Sequence, residues 1–232
     1  MVSLDSAETR HACEVLRMRL GDGLWVFDGE GRAHEGTLIE AGRSGGLVRL
    51  GAGGRSSRPS GGITLVQSIP KGKLMDWILE KATELGVARI VPVITERTIV
   101  QVDGADAERK REKWQRTVVE ACKQCGQNWM PEVCEPRSLS AFLGEASEGE
   151  GVRIFGSLYP GAQPMREALG RMLPGLGVTV CIGPEGDWTR AEAEALERWG
   201  AVPVTLGTIV MRVETATMYC LSVVSNALRC AG

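Results

Sequence analysis

The rhythm of apolar and polar positions changes near residue 62. Before it, short apolar runs are set off by glycine turns: Leu24-Trp25-Val26-Phe27 lies between Gly21-Asp22-Gly23 and Asp28-Gly29-Glu30-Gly31, and Thr37-Leu38-Ile39 and Leu47-Val48-Arg49-Leu50 follow. Strands this short, with turns at this spacing, predict a small β-barrel. Gly51 to Gly62 (GAGGRSSRPSGG) has the composition of a flexible linker and sets the boundary between domains 1–62 and 63–232. Beyond it, strands alternate with helices. Ile63–Ile69, Ile90–Ile94, Val152–Leu158, Val178–Ile182 and Val202–Leu206 read as strands. Lys73–Leu85 reads as a helix with Leu74, Trp77, Ile78, Ala82 and Leu85 on one stripe and Gly86 as its stop. Asp106 to about Gln124 is a second, with Trp114, Val118 and Ala121 inside; Ser138–Ala146, Met165–Leu173, Thr189–Trp199 and a long one from Glu214 to Arg229 follow. Such alternation predicts an α/β domain with a mostly parallel sheet and helices on both faces.

Two of these units share one design. Val178–Ile182 is apolar throughout, as in a strand buried on both faces, and breaks at Gly183-Pro184-Glu185-Gly186-Asp187. Gly183 and Gly186 allow positive φ and close approach of a ligand to the backbone, and Pro184 stiffens the turn. Thr189 and Glu192 have capping-box spacing, and Gly200 follows the helix. Val202–Leu206 repeats the plan, broken by Gly207. Loops of this kind at the carboxyl ends of neighbouring parallel strands form a ligand crevice. Either half alone also reads as an ordinary strand-to-helix turn.

Composition narrows the class. Of 232 residues, 43% are hydrophobic and 24% charged, which suits a folded globule with a sizeable core. The net charge of −2 argues against an indiscriminate coat for nucleic acid, so any such partner needs a local patch. No apolar run reaches the eighteen or so residues of a membrane span, and Met1–Leu20 is studded with charge, unlike a secretory signal. Seven cysteines, an odd number, point to reduced thiols in a cytoplasm. Cys122 and Cys125, with Cys134 nearby, lack the four ligands of a structural zinc site, because His11 and His34 are remote in sequence. Lys71 and Lys73 follow a strand, but no G-x4-G-K-[ST] precedes them, and no G-x-G-x-x-G opens a helix. A mononucleotide P-loop and a Rossmann site are therefore not expected. Arg10, Arg17 and Arg19 beside apolar positions fit a solvated helix.

The pairing of Ile182-Gly183-Pro184-Glu185-Gly186 with Leu206-Gly207-x-Ile209-x2-Arg212-x-Glu214-Thr215-Ala216 resembles the last two motifs of the SPOUT methyltransferases. It is closest to the RsmE-type family, which methylates N3 of a uridine in 16S rRNA. Ile69-Pro70-Lys71-Gly72-Lys73 with Glu80–Val87, the segment Glu120–Pro131, and His11-x4-Leu16-Arg17 before Gly21-Asp22 resemble further motifs of that family. The resemblance implies a PUA-like barrel that docks RNA, then a trefoil-knotted domain that bends S-adenosyl-L-methionine. It implies that Gly156, Ser157, Leu158, Ile182, Gly183, Pro184, Glu185, Gly186, Leu206, Gly207, Ile209, Val210 and Met211 hold the cofactor. Arg212 would stabilise a uracil anion, and Glu185 or Glu214 would take the proton, Glu214 also being placed to cap the last helix. Arg10, His11, Arg17, Lys71, Lys73, Gln124 and Asn128 would meet RNA. No metal is implied, the partner is the 16S rRNA of the 30S subunit, and helix Glu214–Arg229 would pair two subunits into a homodimer. The chain departs from the family at Asp187, where glycine is usual, at Met211 for leucine, and at Gln127 for arginine. A knotted methyltransferase for another RNA or base, and a non-catalytic RNA-binding relative, are the alternatives.

Overall fold

The computed structural model describes residues 1–100, 102, 104–145, 151–173 and 175–230. The chain divides into two compact units, Met1–Arg58 and Pro59–Gly232.

The first unit begins with β1 (Val2–Leu4), too short to show a period in sequence, and α1 (Ser6–Arg10). The Asp5 carboxylate caps α1 by accepting from the Glu8 N–H at 2.8 Å, and a π-helical turn, His11–Val15, continues it. The helix therefore ends at Val15, and Arg17 and Arg19, expected on a solvated helix with Arg10, lie beyond it. Three strands follow: β2 (Gly23–Phe27), β3 (Arg32–Gly42) and β4 (Gly45–Arg55). They form an antiparallel sheet in the order β1-β4-β3-β2, with Leu38 and Val48 fully buried beneath it. The segment expected as linker is half strand, since Gly51–Arg55 belongs to β4. Packing explains this: Gly53 pairs with His34, and a Cβ there would lie 2.2 Å from His34 Nδ1. Gly53 thus permits a close approach of strands, which composition cannot tell from flexibility.

In the second unit β5 (Ile63–Ser68), α2 (Leu74–Glu84), β6 (Val87–Ile94) and α3 (Gly104–Cys125) come first. Then follow β7 (Glu132–Val133), β8 (Arg137–Ser138), α4 (Leu139–Glu145), β9 (Gly151–Gly156), β10 (Gln163–Pro164) and α5 (Met165–Leu169). The last four are β11 (Gly177–Ile182), α6 (Arg190–Arg198), β12 (Val202–Thr205) and α7 (Val213–Cys230). Ala146, expected at the end of α4, lies outside the described residues. Among the described residues the sheet runs β10-β12-β9-β11-β5-β6-β7, with β8 also beside β6, and each of these pairings is parallel. An α/β domain with a parallel sheet is the architecture the alternating pattern implies.

Both sheet faces are covered. Val66, Val91, Val93, Phe155 and Cys181 pack with Leu139 and Phe142 of α4 and with Ala193 and Leu196 of α6. Gln67, one residue along from Val66, points the opposite way and is fully buried. Its Oε1 accepts from Thr217 Oγ1 of α7 at 2.8 Å, and its Nε2 donates to the Ser68 carbonyl at 2.9 Å. A polar side chain survives in this core because its amide is satisfied at both ends. The buried stripe of α2 is Met75, Ile78, Leu79 and Ala82, so Trp77, expected inside, is 41% exposed instead. Helix α7 buries Val213, Thr217, Cys220, Leu221 and Val224 on one face and leaves Tyr219 exposed on the other. Its apolar circumference thus serves the core on one side only.

Candidate functional site

Because β12, β9 and β11 are parallel neighbours, the three loops that leave their carboxyl ends emerge side by side, with that of β5 next in line. Gly156 closes β9 between them. A Cβ there would lie 3.7 Å from Leu206 Cδ1 and 3.9 Å from Ile182 Cδ1, so the three strand ends converge at this point.

The loop after β11 is tied on every side. Trp188, fully buried, donates its indole N–H to the Gly156 carbonyl at 3.0 Å and meets Phe155 edge-on at 6.5 Å. Tyr159 Oη donates to the Trp188 carbonyl at 3.0 Å. Arg97, from the loop after β6, donates to the carbonyls of Gly186 and Trp188. Glu185 Oε1 accepts from the backbone N–H of Lys71 at 3.1 Å, joining this loop to the one after β5. Asp187 Oδ2 accepts from the Leu158 N–H at 3.2 Å, joining it to the loop after β9. Thr189 then opens α6 with the expected capping box, and Glu192 Oε1 also accepts from the Glu96 N–H at 2.8 Å.

Gly183 and Gly186 were expected to use positive φ, and neither does; Asp187 does, at φ 62°. Both glycines stand in crowded places instead. A Cβ on Gly183 would stand 3.1 Å from the Trp188 ring, and one on Gly186 would stand 3.2 Å from Arg97 Cδ. Asp187 stands in the left-handed region, where a polar short side chain is tolerated and its own hydrogen bond helps to hold it. It does not cap α6, because Thr189 does.

The loop after β12 is the opposite case. Gly207 takes φ 129°, and a Cβ there would meet nothing. Ile209 is 79% exposed and Val210 71%. Thr205 Oγ1 accepts from the Gly207 N–H at 3.4 Å, while the backbone N–H groups from Thr208 to Met211 make no hydrogen bond to a described residue. Arg212 is exposed, and its guanidinium makes no ion pair or hydrogen bond among the described residues. Its carbonyl accepts from the Ala216 N–H at 2.8 Å, so Arg212 stands at the threshold of α7. Glu214, half-buried, sits in the first turn of α7, where a carboxylate suits the positive end of the helix dipole.

Ser157 and Leu158 continue from Gly156 on the same rim, Ser157 buried and Leu158 63% exposed. Lys71 and Lys73 are exposed next to the tied loop, Gln124 lies on the last turn of α3, and Asn128 lies just beyond it. Arg10, His11 and Arg17 belong to the first unit, with Arg10 and Arg17 exposed and Arg17 at φ 57°. Arg97, Tyr159 and Trp188 went unseen in the sequence. Only Trp188, next to the glycine loop, carried a local signal. Burial pushes the thiols of Cys122, Cys181 and Cys220 up to about 12, and that of Cys134 upward, so they stay protonated. Among the described residues no three His, Cys, Asp or Glu side chains are grouped to hold a metal ion, and no helix is long and apolar enough to cross a membrane.

An RNA methyltransferase domain family matches residues 57–225, and an RNA methyltransferase PUA domain family matches residues 4–50. The Ribosomal RNA small subunit methyltransferase E of Synechocystis is 29% identical, over 98% of this chain and 73% of its own. A protein of Legionella pneumophila, solved with the bound cofactor SAM, is 32% identical with a TM-score of 0.89, covering 97% of this chain and 91% of its own. The Ribosomal RNA small subunit methyltransferase E of Neisseria gonorrhoeae, bound to S-adenosyl methionine, is 32% identical with a TM-score of 0.84 over the same shares. A crevice at three parallel strand ends, a PUA-type sheet before it and family matches across both units lead to one assignment: the chain belongs to the RNA methyltransferase family.

Proposed function

We propose that this protein transfers the methyl group of S-adenosylmethionine to N3 of a uridine in the 16S rRNA of the small ribosomal subunit. The observation that carries the reading is the contrast of backbones around the crevice: the loop after β11 is tied, whereas the backbone N–H groups from Thr208 to Met211 in the loop after β12 have no partner among the described residues. Unpaired backbone groups of this kind fit the adenine edge and the amino-acid end of the cofactor. Gly156, Ser157, Leu158, Ile182, Gly183, Pro184, Glu185, Gly186, Leu206, Gly207, Ile209, Val210 and Met211 form the cradle. Once bound, the cofactor supplies an activated methyl on a sulfonium, so no metal is needed.

What the chain must add is position and a nucleophile. The uracil imide has no free pair on N3 until its proton leaves. Arg212, a cation without a partner among the described residues, lies beside O2 or O4 and favours the anion. Glu214 is the better placed proton acceptor, since Glu185 spends one oxygen on the Lys71 N–H. Lys71, Lys73, Gln124 and Asn128 hold RNA near the crevice, and the first unit, with Arg10, His11 and Arg17, docks a further stretch. The uncovered face of α7, with Tyr219, pairs two subunits. The setting is the cytoplasm, where the buried thiols stay reduced.

The test uses 30S subunits from cells lacking the gene, the purified protein and labelled cofactor. Mass spectrometry of the digested 16S rRNA should show one new 3-methyluridine. The reading fails if no methyl group enters the RNA, or if it enters a ribose or another base.

A further inference from the structure

The register of the first unit divides its side chains between two faces. Leu38 and Val48 turn inward and are fully buried. On the other face Trp25 stands opposite Glu35, and Thr37 stands between Gly23 and Arg49. These residues line a groove of about 420 Å³, within the range of small-ligand sites. Trp25 is 65% exposed. The floor is open because Gly23 and Gly51 carry no side chain. Crowding does not impose those glycines: a Cβ on Gly23 would come no nearer than 3.9 Å to another atom, and one on Gly51 no nearer than 3.6 Å. Arg49 and Glu35 share the groove yet form no ion pair, with each other or with another described residue.

We propose that this face seats one unpaired nucleotide of a single-stranded RNA segment. Trp25 stacks on the base, Arg49 takes the neighbouring phosphate, and Glu35 with Thr37 meets the donors and acceptors of the base edge. The composition of the groove favours this occupant over an apolar one. An indole and a guanidinium lining one groove, the guanidinium with no ion pair among the described residues, are the pairing that holds single strands, stacking plus a backbone contact, while an apolar partner would leave two charges unmatched. The site rests on the reading of RNA as substrate and is distinct from Arg10, His11 and Arg17, none of which lines the groove.

The experiment measures binding of a fluorescein-labelled twelve-nucleotide single-stranded RNA to the whole chain by anisotropy, with S-adenosylmethionine affinity measured by calorimetry alongside. Trp25→Ala should weaken RNA binding about ten- to hundredfold, the loss expected for one stacked base. Trp25→Phe should recover most of it. Arg49→Ala should weaken binding less and lower the salt slope by about one phosphate contact. Cofactor affinity should stay unchanged in all three, which reports that the second unit is intact, while near-wild-type binding by Trp25→Phe reports that the first unit is folded. Trp25→Ala binding RNA as tightly as the wild type overturns the proposal, and so does Trp25→Phe as weak as Trp25→Ala. A wild type that methylates rRNA but ignores Trp25 sinks the platform alone. A wild type whose RNA binding depends on Trp25 but which never methylates sinks the function alone.

Discussion

The loops after β11 and β12 share a design in sequence, an apolar strand broken by glycine and resumed as a helix, yet they differ in every physical respect. The first is held by the indole of Trp188, the guanidinium of Arg97 and the carboxylates of Glu185 and Asp187, which join it to three other segments. The second presents exposed Ile209 and Val210 and amides that no described residue engages. A ligand crevice needs both. A wall fixed in advance lowers the ordering cost of binding, and a wall with unspent hydrogen bonds has something left to offer the ligand. Glycine plays opposite parts in the two: Gly183 is crowded by the Trp188 ring, while Gly207 faces open space at a φ that other residues avoid.

Four measurements test this contrast. The largest effect is expected at the tied loop's centre. Trp188→Ala removes a fully buried ring and orphans the Gly156 carbonyl, so urea unfolding should show a loss of about 3–5 kcal/mol. A loss under about 1 kcal/mol would mean that the loop is not held as described. Next comes chemistry on the bare side. Arg212→Ala should slow single-turnover methylation by about one to two powers of ten, the worth of a charge-assisted hydrogen bond, with cofactor affinity unchanged. The deficit should shrink as pH rises toward uridine ionisation, because hydroxide then supplies the anion that Arg212 favoured. Arg212→Lys should recover only part, lacking the planar fork. A deficit that ignores pH, or a matching loss of cofactor affinity, would reassign Arg212 to the scaffold.

The third effect is smaller and turns on sign. Asp187→Ala keeps the left-handed backbone and loses the bond to Leu158, which should cost about 1–2 kcal/mol. Asp187→Gly loses the same bond but removes the strain, so it should be clearly the more stable of the two variants. Equal losses in urea would show that strain plays no part. The smallest effect is expected at Ile209→Ser, within about 0.5 kcal/mol of wild-type stability, because the side chain is already in water. Its S-adenosylmethionine affinity should nevertheless fall several-fold by calorimetry. Stability lost in step with affinity would show that the second loop is packed after all.

Local features were determined by the sequence alone. Thr189 and Glu192 form the predicted capping box, and Gly200 follows the C-cap at φ 87°. The alternation of strands and helices, the buried face of α3 with Trp114, Val118 and Ala121, and the glycine breaks after β11 and β12 were equally legible, because each depends on residues within a turn or two. The order β12-β9-β11 was not, since it joins strands separated by whole helices and leaves no period in the chain. Nor was the strand character of Gly51–Arg55, where Gly53 answers to His34 nineteen positions earlier. Arg97 looked like any surface arginine until the sheet carried it to Gly186 and Trp188, 89 and 91 residues away. Asp187 took its meaning from Leu158, 29 residues back. Short-range preferences write themselves into neighbouring residues, whereas a bond between distant segments exists only once the sheet has brought its two ends together.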